Sequence, residues 1–224
     1  FQAANYSRGG LQNDAVNAEA QDASQSTTPS FNNANFSTPG DGSKPRMQMY
    51  LWGPKTQNYL SYNAPSDLVG RLPVVGVNSG FGPTIATNPV TADVVLVSPI
   101  KGCTTLSNTN LTGKIALIER GDCNFTVKFK NAQDKGALGV IVYNASDSPA
   151  VGNMGGTDTT VTIPGVLTEN AEGELIKSKL SANTVVNANI KDNSIWIDGS
   201  LDNGIVAHEY GHGISNRNTG SGYS

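Results

Sequence analysis

The chain holds 224 residues, enough for one large domain or two ordinary ones with a sizeable core. Charged residues make up only 15% and the formal net charge is −3, so no basic patch argues for nucleic acid and no charged tail stands out. The longest apolar runs, at 94–97 and 140–143, are strand-sized and far short of the roughly 20 residues that span a bilayer.

The chain opens on Phe1, with neither an initiator Met nor a signal peptide, as expected of a mature or excised piece of a longer product. Residues 1–45 are polar and rich in Asn, Gly, Ser and Gln. Within them 14–22 is weakly helical, and 38–42, Thr-Pro-Gly-Asp-Gly, is turn chemistry. Residues 45–52 read as a strand with Met47, Met49 and Leu51 on one face, a core pattern. From Gly53 to Arg71 the composition is loop-like, punctuated by Pro54, Pro65 and Gly70.

A composition shift near Leu72 opens a segment of short aliphatic strands separated by Gly, Asn, Thr and Pro turns. The clearest strands are 94–97, 114–119, 139–143, 165–167 and 185–190. Between two of them, over 124–137, Phe125, Phe129 and Ala132 recur at helical spacing, giving strand, helix, strand at the length of a βαβ unit. A second helix is expected after Thr168, with Thr168 as N-cap, Glu169 and Glu172 in its first turn, and Leu175, Ile176 and Leu180 facing inward. Residues 72–190 look self-sufficient as a domain, flanked by 1–71 and 191–224.

Cys103 and Cys123 are the only cysteines, consistent with one disulfide in an oxidising compartment or with two unrelated buried thiols. Sequons stand at Asn5, Asn35, Asn110, Asn124 and Asn144, in a sequence rich enough in Asn to produce some by chance.

After the polar stretch 191–194, residues 195–197 read as a short strand, and Asp202 or Ser200 caps a helix expected to run to about Arg217, with a loop beyond. That helix holds His208 and His212, the only histidines in the chain, with Glu209 between them in the H-E-x-x-H pattern. Four residues apart, the two imidazoles share a face and converge on one ion. Glu209 lies about a hundred degrees around the axis, beside a metal rather than on it. Neutral imidazoles with an acid/base group at hand suit zinc and a peptidase. The alternative is a helix with two histidines facing solvent.

The run DNGIVAHEYGHGISNR over 202–217 closely resembles the fungalysin family of secreted zinc metallopeptidases, relatives of thermolysin. GGLQNDAV at 9–16, NNANF at 32–36, and RMQMY at 46–50 are similar to that family's run leading to its active-site edge strand. The middle has its own likeness. Gly102-Cys103, GKIALIERGDCNF at 113–125, Lys128, Asn131-Ala132, GVIVYN at 139–144 and IPGV at 163–166 resemble a protease-associated (PA) domain.

The resemblance implies an α+β architecture: a PA-type β-sandwich or barrel-like domain with flanking helices (72–190), inserted in a partial thermolysin-like zincin domain made of 1–71 and 191–224. It implies a Cys103 to Cys123 disulfide, one Zn2+ held by His208 and His212, and peptide-bond hydrolysis by a metal-activated water with Glu209 as general base. Asn33 and Ala34 match a substrate-binding Asn-Ala pair, although Asn33 equally suits a turn. Asp202 is placed either to cap the helix or to orient a ligand histidine. The Asp198 to Asp202 loop leaves room for Ca2+.

The resemblance also implies a third zinc ligand, a glutamate on the following helix; residues 213–224 contain no Asp or Glu, so that ligand is expected beyond Ser224. The chain by itself is therefore expected to be an inactive section of an extracellular endopeptidase acting on protein or peptide substrates. The rival reading makes the PA domain the functional unit, a non-catalytic protein-binding or substrate-access module; 72–190 contains no His and no Ser/His/Asp constellation. Oligomeric state is not legible.

Overall fold

The computed structural model describes residues 6–7, 10–26, 30–53, 58–107 and 110–219. Asn5 with its sequon, Gly9, Pro54 and residues 220–222 of the expected terminal loop lie outside the described residues. Two compact units are present, one formed by Phe1–Lys55 with Ile195–Ser224, the other by Thr56–Ser194.

The first unit begins with β1 (Asn17–Glu19), β2 (Ala34–Ser37), β3 (Arg46–Met49) and β4 (Leu51–Trp52). Strands β1, β3 and β2 form a sheet in that order, β1 parallel and β2 antiparallel to β3. The expected helix over 14–22 is instead β1 and a turn. A nine-residue helix is marginal alone, whereas β1 gains a ladder to β3, the Asp22 N–H donates to Met49 O (2.9 Å), and the Gln48 side chain donates to the Asp22 carboxylate. The expected strand 45–52 breaks at Tyr50, whose N–H donates to Asn33 O and whose carbonyl accepts from Gly199 N–H.

The second unit holds β5 (Leu60–Ala64), β6 (Val75–Phe81), β7 (Val90–Leu96), β8 (Ile115–Glu119), α1 (Phe125–Gln133), β9 (Gly139–Tyr143), β10 (Met154–Asp158), β11 (Gly165–Thr168), α2 (Asn170–Ser181) and β12 (Asn187–Ile190). All eight strands join in one sheet, ordered β10-β6-β11-β9-β8-β7-β12-β5. Neighbours from β7 through β8 and β9 to β11 are parallel, and β8-α1-β9 is the expected βαβ crossover. The arrangement is thus a mixed α/β sheet with β10 and β5 at its ends, rather than two sheets of a sandwich.

The strand composition explains this. Parallel strands covered on both faces read as continuous apolar runs, and β9, GVIVY, is buried at every residue. Ile115, Leu117, Ile141, Tyr143 and Val166 face one core with Ile176 of α2; Ala116, Ile118, Val140, Val142 and Leu167 face the other with Phe129 and Ala132 of α1.

The loop expected over 53–71 contains β5, which pairs antiparallel with β12 and buries Leu60 and Tyr62, so this unit begins at Thr56 rather than near 72. Strands β6 and β10 escape periodicity analysis because both carry glycines in their interiors. A Cβ at Gly76 would lie 1.9 Å from Gly152 O, so the close backbone approach there requires glycine. Thr168 ends β11 and does not cap α2; Glu169 stands at the cap without a side-chain bond. Glu172 is in the first turn, yet only 5% exposed, accepting from Tyr62 O–H (2.8 Å) and Arg71 Nε–H (3.3 Å). Burial, then the Glu172 charge, pushes the Tyr62 phenol above its usual range. Cys103 and Cys123 are bonded, with their Cα atoms 5.7 Å apart.

The chain returns to the first unit as β13 (Ile197–Asp198), antiparallel to β4, then a 3-10 turn at Gly199–Leu201 and α3 (Asn203–Thr219).

Candidate metal centre

Helix α3 is fixed at three points. At its start the Asp202 Oδ1 accepts from Gly204 N–H (2.7 Å) and Ile205 N–H (3.3 Å), satisfying two of the donors a helix N-terminus leaves open. Asp202 therefore caps the helix. Midway, Gly213 lies against Phe36 of β2, and the Phe36 and Tyr210 rings meet edge-on with centroids 6.3 Å apart. Near its end Arg217 donates to the Asp14 carboxylate (3.2 Å) and Asn216 to Thr38 Oγ1 (3.5 Å). The helix extends two residues past the expected Arg217, to Thr219.

These anchors determine which face each motif residue takes. Glu209 is 7% exposed and, with Gly213 one turn on, lies on the buried face; His208 and His212 lie on the exposed one. The histidine rings stand edge to face, centroids 4.6 Å apart, with Nε2 to Nε2 at 3.0 Å. Two nitrogens each about 2.0–2.1 Å from a shared ion lie roughly 3 to 3.5 Å apart, so the pair fits as two ligands of one zinc. Among the described residues no group of three or more His, Cys, Asp or Glu gathers as a metal site.

The edge strand is β2, which borders β3 on one side and has no strand partner on the other among the described residues. Asn33 is exposed just before it, its Oδ1 accepting from Ala34 N–H (2.9 Å). Ala34 opens the strand opposite Met49. The stretch considered for calcium uses both its carboxylates on backbone N–H groups, Asp198 toward Ser200 and Asp202 toward the helix start. The pairings of Phe36 with Tyr210 and of Asp14 with Arg217, which hold the site together, had no local signal in the sequence, since they join positions up to 203 residues apart.

The family model of the fungalysin metallopeptidases (M36) matches residues 1–224. Among curated proteins, the chain is 33% identical over 130 residues to a receptor homology region, transmembrane domain- and RING domain-containing protein 1 of Oryza sativa subsp. japonica (57% of this chain, 23% of that protein). It is 31% identical over 121 residues to signal peptide peptidase-like 2 of Arabidopsis thaliana (52% and 22%). It is also 35% identical over 98 residues to probable leucine aminopeptidase 2 of Aspergillus fumigatus (42% and 18%). A solved zinc aminopeptidase from Bacillus subtilis is 28% identical with a TM-score of 0.44, covering 66% of this chain and 32% of that one. The chain spans less than a quarter of the length of these curated relatives. It belongs to the fungalysin metallopeptidase family.

Proposed function

We propose that the chain is the zinc-binding section of a secreted, extracellular metalloendopeptidase. The observation that carries this reading is the convergence of the His208 and His212 Nε2 atoms, 3.0 Å apart, beside a buried Glu209. Zinc, when bound, supplies Lewis acidity that makes a water more acidic and polarises the scissile carbonyl.

The remaining tasks fall to this chain. His208 and His212 present neutral Nε2 lone pairs, which keeps their protons on Nδ1. Glu209 accepts the proton of the attacking water and passes it to the departing amine. The outer edge of β2 takes an extended peptide as an added strand, with Asn33 and Ala34 touching its backbone. A glutamate outside the described residues completes the ligand set. The flanking segments form the catalytic domain, and the Thr56–Ser194 unit is the inserted PA domain.

Zinc calorimetry and hydrolysis of an internally quenched peptide by the natural protein test this. Glu209→Gln should keep zinc and lose about 10²- to 10⁴-fold in kcat, whereas His212→Ala should lose both. Unchanged hydrolysis in Glu209→Gln would rule out the general-base role. The 224-residue chain alone, with two ligands, should bind zinc weakly and hydrolyse nothing; a rate there that Glu209→Ala abolishes would overturn this expectation.

A second reading, in which the Thr56–Ser194 unit is a non-catalytic binding or access module, is supported by its compactness and its lack of histidine. Relatives as unlike in name as a RING-domain protein and an aminopeptidase share stretches of this chain, which also favours an accessory role.

A further inference from the structure

Four of the five sequons lie within the described residues, and the fold divides them into two kinds. Asn144 is 5% exposed; its Oδ1 accepts from Arg120 Nη1–H (3.0 Å) and its Nδ2 donates to Pro149 O (2.9 Å). Asn35 is half-buried in mid-strand, its Nδ2 donating to Tyr50 Oη (2.9 Å). The amide nitrogen of each is held as a donor by a neighbour, and that of Asn144 is also shut off from solvent.

Asn110 and Asn124 differ on both counts. Both are exposed. The Oδ1 of Asn110 accepts from Thr112 N–H (3.1 Å), and its Nδ2 has no partner among the described residues. Asn124 stands at the N-cap of α1 without a side-chain capping bond, so its amide performs no structural task there.

We propose that Asn110 and Asn124 carry N-linked glycans in the mature protein and that Asn35 and Asn144 do not. The proposal rests on the secretory reading above. In the transfer, the Nδ2 of each asparagine forms a bond to the anomeric carbon of a lipid-pyrophosphate-linked oligosaccharide. The bond from that carbon to pyrophosphate oxygen breaks, and Nδ2 gives up one proton; nothing is oxidised or reduced.

The two sites bracket α1. Asn124 sits at its start, and Thr112, two residues after Asn110, lies against Gly136 beyond its end, where an added Cβ would come within 3.0 Å of Thr112. A nine-residue helix rises only about 13 Å, so two glycans cover the α1 side of the sheet.

The natural protein, recovered from the medium of a eukaryotic host, is digested with a glycan-releasing amidase in 18O-water and its peptides are sequenced by mass spectrometry. Label is expected at Asn110 and Asn124 and not at Asn35 or Asn144. Asn110→Gln and Asn124→Gln should each remove one glycan's mobility step, and Thr112→Ala should act as Asn110→Gln does. A secreted chain with an intact Cys103 to Cys123 disulfide but no label at Asn110 or Asn124 overturns the proposal alone, as does label at Asn144. A chain retained in the cytosol with reduced cysteines overturns the secretory reading, and the glycans with it.

Discussion

Lys128 shows how a single buried charge sets a measurable property. It is wholly buried on α1, at 0% exposure, and among the described residues its ammonium meets no carboxylate within ion-pair distance. It donates instead to Gly121 O (2.8 Å) and Lys101 O, the carbonyls two residues before each bonded cysteine. Burial pushes its pKa down to about 8, against the pull of the Asp122 charge. An unfolded lysine titrates near 10.4. Between about pH 8 and 10 the unfolded chain therefore binds more protons than the folded one, and stability rises with pH across that window. The rise approaches about 1.4 kcal/mol for each pH unit crossed. Lys128→Met should lose it, measured as the difference between the two proteins in urea unfolding from about pH 7.5 to about pH 9.5. The variant should also be less stable at the upper end, because two carbonyls lose their donor at about 1–3 kcal/mol. An identical pH slope in both proteins would refute this account of Lys128.

At the scale of elements, the seat of α3 on β2 turns on one glycine. Alanine is favoured over glycine inside a helix by about 1 kcal/mol. At Gly213, however, a Cβ would lie 2.5 Å from Phe36 Cε1 and Cζ, and overpacking costs about 1–3 kcal/mol. The clash wins: Gly213→Ala should destabilise the first unit and push the histidine-bearing helix off the edge strand, lowering zinc affinity in calorimetry. Gly211→Ala is the control. It has no atom within 4 Å of its added Cβ, so it should raise stability by up to about 1 kcal/mol. Equal effects at the two positions would mean that Phe36 does not position α3. The phase of this helix was legible from its motif spacing, as was the βαβ unit from Phe125, Phe129 and Ala132. That Gly213 must be small was not, because Phe36 stands 177 residues away in the chain.

For the molecule as a whole, the boundary at Thr56 has a consequence. Excised, residues 56–194 should unfold in one cooperative transition, whereas 72–190, the segment that composition alone suggests, lacks β5. That shorter piece loses the buried Leu60, Tyr62 and Leu68, each contributing about 1.5–3 kcal/mol, and bares the edge of β12. It should melt lower or aggregate, as circular dichroism and light scattering would register; equal melting of the two pieces would contradict the role given to β5. Within 56–194, Cys103→Ser should cost about 3 kcal/mol, the value for closing a loop of sequence separation 20.

The sequence by itself determined what depends on neighbours a few residues apart: the face shared by His208 and His212, the strands read at 114–119 and 139–143, and the helix between them. Tertiary structure alone decided pairings across long stretches of chain. Residues 17–19 became a strand because β3 was there to receive them, and Glu172 became a buried acceptor because Tyr62 and Arg71 reach it. Likewise Asn144 is closed and Asn110 open, although both sequons read alike. Periodicity records which side of an element is apolar. Which partner covers that side, and which polar group is trapped beneath it, depends on contacts between residues that no local window contains.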